Sequence, residues 1–192
     1  MSGLILASKS AARQAMLQNA GIEFDSVPAD IDEEKIQLAG GDPGDISKRL
    51  ADEKALYVSK DNNNSYIIGS DQVLSMNNKI YAKAKDIAEA KERLAEFSGQ
   101  SHILYSSVSV AKEGKILFCH TNSATLIMKE LSADKINDYC AKAGDVLTRC
   151  VGCYAIEGHG IRLFKAIDGD YFTILGMPLL PLISYLETEG LV

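Results

Sequence analysis

The sequence predicts an α/β domain on a mixed β-sheet, and three observations carry that prediction. Short apolar runs of strand length alternate with stretches whose apolar residues recur at helical spacing. Two long runs, about 101–112 and 115–128, meet at Glu113-Gly114 and read as one hairpin. The 192 residues are 46% hydrophobic, enough for a sizeable core in a single domain, 1–192.

The elements follow in order. Residues 3–8 read as a strand, and 11–19 as a helix with Ser10 as N-cap and Gly21 past its end. A strand is expected over 23–28, then an acidic loop, "ADIDEEK", and a Gly/Pro-rich link, "AGGDPGD". A helix is expected over about 45–59. "YIIGSD" reads as a short buried strand, and "VLSMNNKIYAK" as a hairpin turning at Asn77-Asn78. Ile87, Ala90, Leu94 and Phe97 share one face of a helix over 86–97. Residues 132–141 read as a helix capped by Ser132. Strands are expected near 161–167 and 171–175, and a last helix over 179–188.

Composition excludes several functions. The net charge of −6 argues against a nucleic-acid polymer as partner, since that surface needs a basic patch. No apolar run reaches about 18 residues and no leader pattern opens the chain, so no membrane association and a cytoplasmic location are expected. Four cysteines are too few for a disulfide scaffold of this length. The C-x-x-C at Cys150 and Cys153 lacks a second ligand pair for zinc, so these thiols read as small buried groups.

Three places could carry chemistry. In "LILASKSAAR" a strand runs into a helix N-terminus, whose free N–H groups and dipole attract anions. Ser8 and Ser10 add hydroxyls there, and Arg13 adds a fork suited to phosphate. The plain alternative is a simple cap at Ser10 and a solvated Arg13. At about 100° per residue, Lys54 falls in the middle of an apolar face made by Ile46, Leu50, Ala51, Tyr57 and Val58. It must snorkel, pair or bind an anion there. Asp71 ends the run Tyr66–Ile68 at the C-terminal edge of an expected central strand, where α/β ligands bind. It is a turn cap, a proton acceptor or a metal ligand.

Together these pieces resemble the Maf family of nucleoside triphosphate pyrophosphatases over nearly the whole chain. "LILASKSAAR" is similar to that family's L-I-L-A-S-x-S-P-R-R, "ADIDEE" to its loop ending I-D-E, and "ADEKA" to its A-x-x-K-A helix. "IIGSDQV" resembles its G-[AS]-D-[TQ] strand end, "FSGQSH" its S-G-x-x-H element, and "GDYFTILGMPL" its G-D-x-x-x-x-x-G-L-P-L block. The resemblance implies a mixed, elongated sheet with flanking helices and two lobes around a cleft, similar in fold to inosine-triphosphate pyrophosphatases. It also implies homodimers, and hydrolysis of a nucleoside triphosphate to the monophosphate and pyrophosphate with a divalent cation, Mg²⁺ or Mn²⁺. Carried over by motif, Ser10, Arg13, Lys54 and Lys83 would meet phosphates. Asp71 would accept the proton, and Glu33 would join it at the metal.

Departures bear on the base. Ala11 and Ala12 stand where the family has Pro and Arg, and Ala84 follows Lys83 in place of Pro. Gln72 and Glu157 resemble the 7-methyl-GTP branch, with its G-S-D-Q and S-E-G, rather than the thymidine- and uridine-selective one. A glutamate can accept from guanine N1–H and the exocyclic amine. The methylated branch has a tryptophan where Ala12 stands, a wall that would favour a cationic base. The expectation is a guanine-leaning house-cleaning enzyme for non-standard nucleotides. Its non-enzyme alternative is a nucleotide-sensing regulator of cell division and septum formation.

Overall fold

A computed structural model describes residues 3–192. The strands are β1 (Leu4–Leu6), β2 (Asp25–Ser26), β3 (Tyr66–Met76), β4 (Lys79–Tyr81), β5 (Ser101–Lys112), β6 (Lys115–Met128) and β7 (Phe164–Asp168). The helices are α1 (Ala11–Asn19), α2 (Glu33–Leu38), α3 (Pro43–Ser59), α4 (Ile87–Phe97), α5 (Ala133–Ala143), α6 (Val146–Arg149), α7 (Tyr171–Leu175) and α8 (Leu179–Thr188), with a 3-10 turn at His159–Leu163. The sheet is mixed, in the order β2-β1-β3-β5-β6-β7, with β4 paired to β3. β1 runs parallel to β2 and β3, whereas β4 and β7 are antiparallel to their neighbours.

The chain divides into two compact units. The first comprises Met1–Gln72, Tyr105–Ser123 and Asp170–Val192. Its sheet is apolar on both faces, which is why β1 reads "LIL" without alternation. Leu4, Leu6, Ile68, Val108 and Val110 pack with Met16 and Leu17 of α1 and Leu179, Leu182 and Leu186 of α8. Ile5, Ala7, Ile67 and Ala111 pack with Ala55 and Val58 of α3. Odd and even positions of β3 thus serve different partners.

The second unit comprises Val73–Leu104 and Ala124–Gly169. An aromatic chain runs through it: Tyr81 edge-on to Phe97, Phe97 stacked on His102 at 4.9 Å, then Tyr154 and Phe164. His102 Nε2 and the Tyr154 hydroxyl lie 2.5 Å apart, and burial pulls the imidazole pKa down to about 4. Buried Arg93 donates to the Ala82 and Val151 carbonyls and pairs with Glu89.

Several expectations are corrected. Residues 171–175 form helix α7, not a strand: Asp170 accepts from the Phe172 and Thr173 N–H groups, and left-handed Gly176 closes the turn. Residues 161–163 belong to the 3-10 turn, and strand pairing begins at Phe164. The strand expected over 23–28 shrinks to Asp25–Ser26. The acidic loop holds a short helix, α2, because Asp32 caps Lys35 N–H and Glu33 and Glu34 fill the first turn. Tyr57 is exposed rather than part of the apolar face of α3. "YIIGSD" is not a short strand but the first half of β3, which continues into the hairpin with β4. No helix among the described residues is long and apolar enough to cross a membrane.

Candidate active site

The site of the first unit is built from β1, α1, α2, α3 and β3. Gly69 makes the central contact possible. A Cβ there would lie 2.2 Å from the Ala51 carbonyl oxygen and 2.7 Å from Ala55 N, so only a bare Cα lets β3 meet α3 this closely. Two residues on, with the same strand parity, Asp71 also faces α3. Lys54 meets it there, both residues buried, with Nζ 2.6 Å from Oδ1. Asp71 therefore sits mid-strand and not at a strand edge as its sequence context suggested.

The Lys54 ammonium takes a second carboxylate, Glu33 Oε1 at 2.9 Å, from the first turn of α2. Glu33 is half exposed, so the pair runs from the interior to solvent. Of the readings open for Lys54, pairing holds. Burial lifts the Asp71 carboxyl above the ordinary carboxylate range; Lys54 and Arg13 oppose the rise and Glu33 adds to it. Burial lowers the Arg13 guanidinium, against the pull of Asp71 and Glu33. One buried carboxyl, a half-exposed one and two cations thus share one electrostatic neighbourhood.

The opening motif folds as a strand-to-helix turn. Ser10 caps α1, its Oγ accepting from Arg13 N at 3.4 Å, and Ser8 Oγ accepts from Ser10 N at 3.2 Å. Arg13 is not a freely solvated residue: its Nε donates to Gly176 O at 2.9 Å and its Nη1 to Ser8 Oγ at 3.4 Å. Nη2 has no acceptor among the described residues. Ala12 lies in the first turn of α1, part-exposed.

The Gln72 amide is anchored by hydrogen bonds. Its Nε2 lies 3.0 Å from both Thr173 O and Ile174 O and 3.1 Å from Ser106 Oγ. Ser47, Ser70 and Gly176 join the site although sequence reasoning passed over them. Ser47 Oγ donates to Asp71 O at 3.2 Å, and Ser70 Oγ to Gly176 O at 3.0 Å. Ser70 and Gly176 stood within quoted motifs, but nothing local told that two residues 106 apart share a hydrogen bond.

Lys83 and Glu157 belong to the second unit, both exposed, in the segment after β4 and just before the 3-10 turn. Lys83, Arg149 and Glu157 all act electrostatically on the half-buried Cys150 thiol, which burial pushes up. That neighbourhood is a feature of the second unit by itself.

Residues 3–189 match the family model described as Maf-like protein. The chain is 45% identical over 190 residues to the 7-methyl-GTP pyrophosphatase of Brucella suis biovar 1 (strain 1330), covering 97% of this chain and 96% of that protein. It is 44% identical over 190 residues to the nucleoside triphosphate pyrophosphatase of Rhodopseudomonas palustris (strain BisB18), covering 98% and 94%. A third relative, the nucleoside triphosphate pyrophosphatase of Bradyrhizobium diazoefficiens, is 45% identical over 193 residues, covering 100% and 96%. With the opening turn, the lysine helix and the aspartate strand folded around one ammonium, and with relatives matched nearly end to end, the chain belongs to the Maf-like protein family.

Proposed function

We propose that this protein is a nucleoside triphosphate pyrophosphatase that splits the bond between the α- and β-phosphates and releases the monophosphate and pyrophosphate. The observation that carries the reading is the buried Asp71 carboxyl held by Lys54 beside Glu33 and Arg13. The names of the full-length relatives, 7-methyl-GTP pyrophosphatase and nucleoside triphosphate pyrophosphatase, support it.

Asp71, once ionised, takes the proton from a water aimed at the α-phosphorus. Its raised pKa makes it a better base than a solvated aspartate. Lys54 and Arg13 oppose the negative charge that gathers on the leaving pyrophosphate. Ser8, Ser10 and the α1 N-terminus orient the phosphates through hydroxyl and amide donors. In the same reading Lys83 is a further phosphate cation, Glu157 reads a guanine edge, Gln72 borders the base, and Ala12 leaves open the wall on which a methylated base would stack.

The two carboxylates fit a divalent cation. Mg²⁺ and Mn²⁺ favour oxygen donors, and Mg²⁺ needs only one or two carboxylates when phosphates and water complete its shell. Glu33 and Asp71 are such a pair, and no cluster of three or more ligating side chains closes a cage among the described residues. A divalent cation there supplies Lewis-acid neutralisation of phosphate charge.

The test is a turnover panel of GTP, 7-methyl-GTP, ITP, CTP, UTP and dTTP with Mg²⁺ or Mn²⁺, reading pyrophosphate against phosphate. Pyrophosphate release with guanine nucleotides ranked first supports the full reading. Faster turnover of dTTP and UTP overturns the role of Glu157. Nucleotide binding without release by the wild-type protein moves it to the sensor class.

A further inference from the structure

We infer that Ser70 and Gly176 are positioning residues that set the Arg13 guanidinium. The inference rests on the proposed pyrophosphatase reading for its kinetic test, but its geometry stands alone.

Strand parity begins the argument. Asp71 faces α3, so its neighbours Ser70 and Gln72 face the other side of β3, where α1, α7 and α8 pack. There they meet the end of α7. The short helix closes with the Gly176 N–H donating to the Phe172 and Thr173 carbonyls, and β3 and β5 add side-chain donors to its last carbonyls. Gln72 Nε2 serves the Thr173 and Ile174 carbonyls, Ser106 Oγ donates to Thr173 O at 2.7 Å, and Ser70 Oγ donates to Gly176 O.

Gly176 O is the junction. A carbonyl oxygen has two lone pairs. One accepts from buried Ser70 and the other from Arg13 Nε. Holding Nε fixes the plane of the guanidinium, while Nη2 keeps its donors among the described residues. The carbonyl takes this direction because Gly176 is left-handed, at φ +104°, where side chains are disfavoured. A Cβ there would also lie 3.4 Å from Arg13 Nη2. The chain thus uses a residue 163 positions away to aim the arginine of its opening motif.

The test is a double-mutant cycle. Ser70→Ala, Arg13→Ala and the double variant are compared with wild type for kcat/KM with GTP and for the inhibition constant of pyrophosphate. Ser70→Ala should cost about three- to tenfold in both with Arg13 present, the range of one neutral hydrogen bond, and less than about twofold in the Arg13→Ala background. Equal losses in both backgrounds overturn the inference. If wild type releases no pyrophosphate from any nucleotide, the enzymatic reading fails, and the same cycle read as the dissociation constant of pyrophosphate by direct titration still decides the inference.

Discussion

Asp71 concentrates the chemistry at the residue scale, because its burial raises its pKa despite two nearby cations. Asp71→Asn should lower kcat by about 10²–10⁴-fold, the range for loss of a general base. In the wild type, kcat/KM should fall as pH drops through the raised pKa, so the acid limb lies above the ordinary carboxylate range. Lys54 is the largest influence holding that pKa down, so Lys54→Met should move the limb further toward alkaline pH, measured as kcat/KM against pH. The same shift fixes a stability trend. A carboxyl whose folded pKa exceeds its unfolded value binds its proton more tightly when folded. Its contribution is present below the unfolded pKa and is lost as pH rises through the folded pKa. Asparagine does not titrate. The melting temperature of Asp71→Asn relative to wild type should therefore climb as pH rises from the unfolded to the raised folded pKa of the carboxyl, and a flat difference would contradict it.

Elements carry the geometry that single residues cannot. Lys54 and Asp71 meet because α3 lies on the bare Cα of Gly69, against backbone atoms of Ala51 and Ala55. Gly69→Ala must push the helix away, since the nearest atoms are backbone and cannot rotate aside. We expect a loss of about 1–3 kcal/mol in urea unfolding, with a fall in kcat larger than the unfolded fraction explains, because the ammonium leaves the carboxyl. The long elements were legible in the sequence for a physical reason: periodicity needs length. α3, α4, α5, β5 and β6 each span at least eleven residues and show their period. α7 was misread because Phe172, Thr173 and Ile174 are strand formers; the caps at Asp170 and Gly176 decide the matter. Lys54 could be picked out because a charge on an apolar helix face needs a partner, Asp71 because it ends a buried run, and Arg13 because it follows a strand into a helix N-terminus. Their anchors could not, since Ser47, Ser70 and Gly176 act through hydrogen bonds that only the folded chain brings within reach.

At the scale of the whole molecule, the division into two units bears on how the protein unfolds. Three of the four boundaries, after Gln72, Leu104 and Ser123, fall inside β3, β5 and β6, and the fourth, after Gly169, falls between β7 and α7. Independent domains are ordinarily joined through exposed, flexible segments that few contacts cross. A boundary inside a strand gives neither unit a free end, since the same strand continues from one into the other. One cooperative transition is therefore expected in urea, as for most chains of this size. The cysteines provide a local probe. Buried Cys140 and Cys153 report on the second unit, whereas far-UV circular dichroism reports on all helices and strands. Thiol labelling of those two cysteines and loss of ellipticity should share one midpoint. Labelling that leads the ellipticity by a clear interval of urea would mean that the second unit opens alone, and the chain would have to be described as two domains sharing strands.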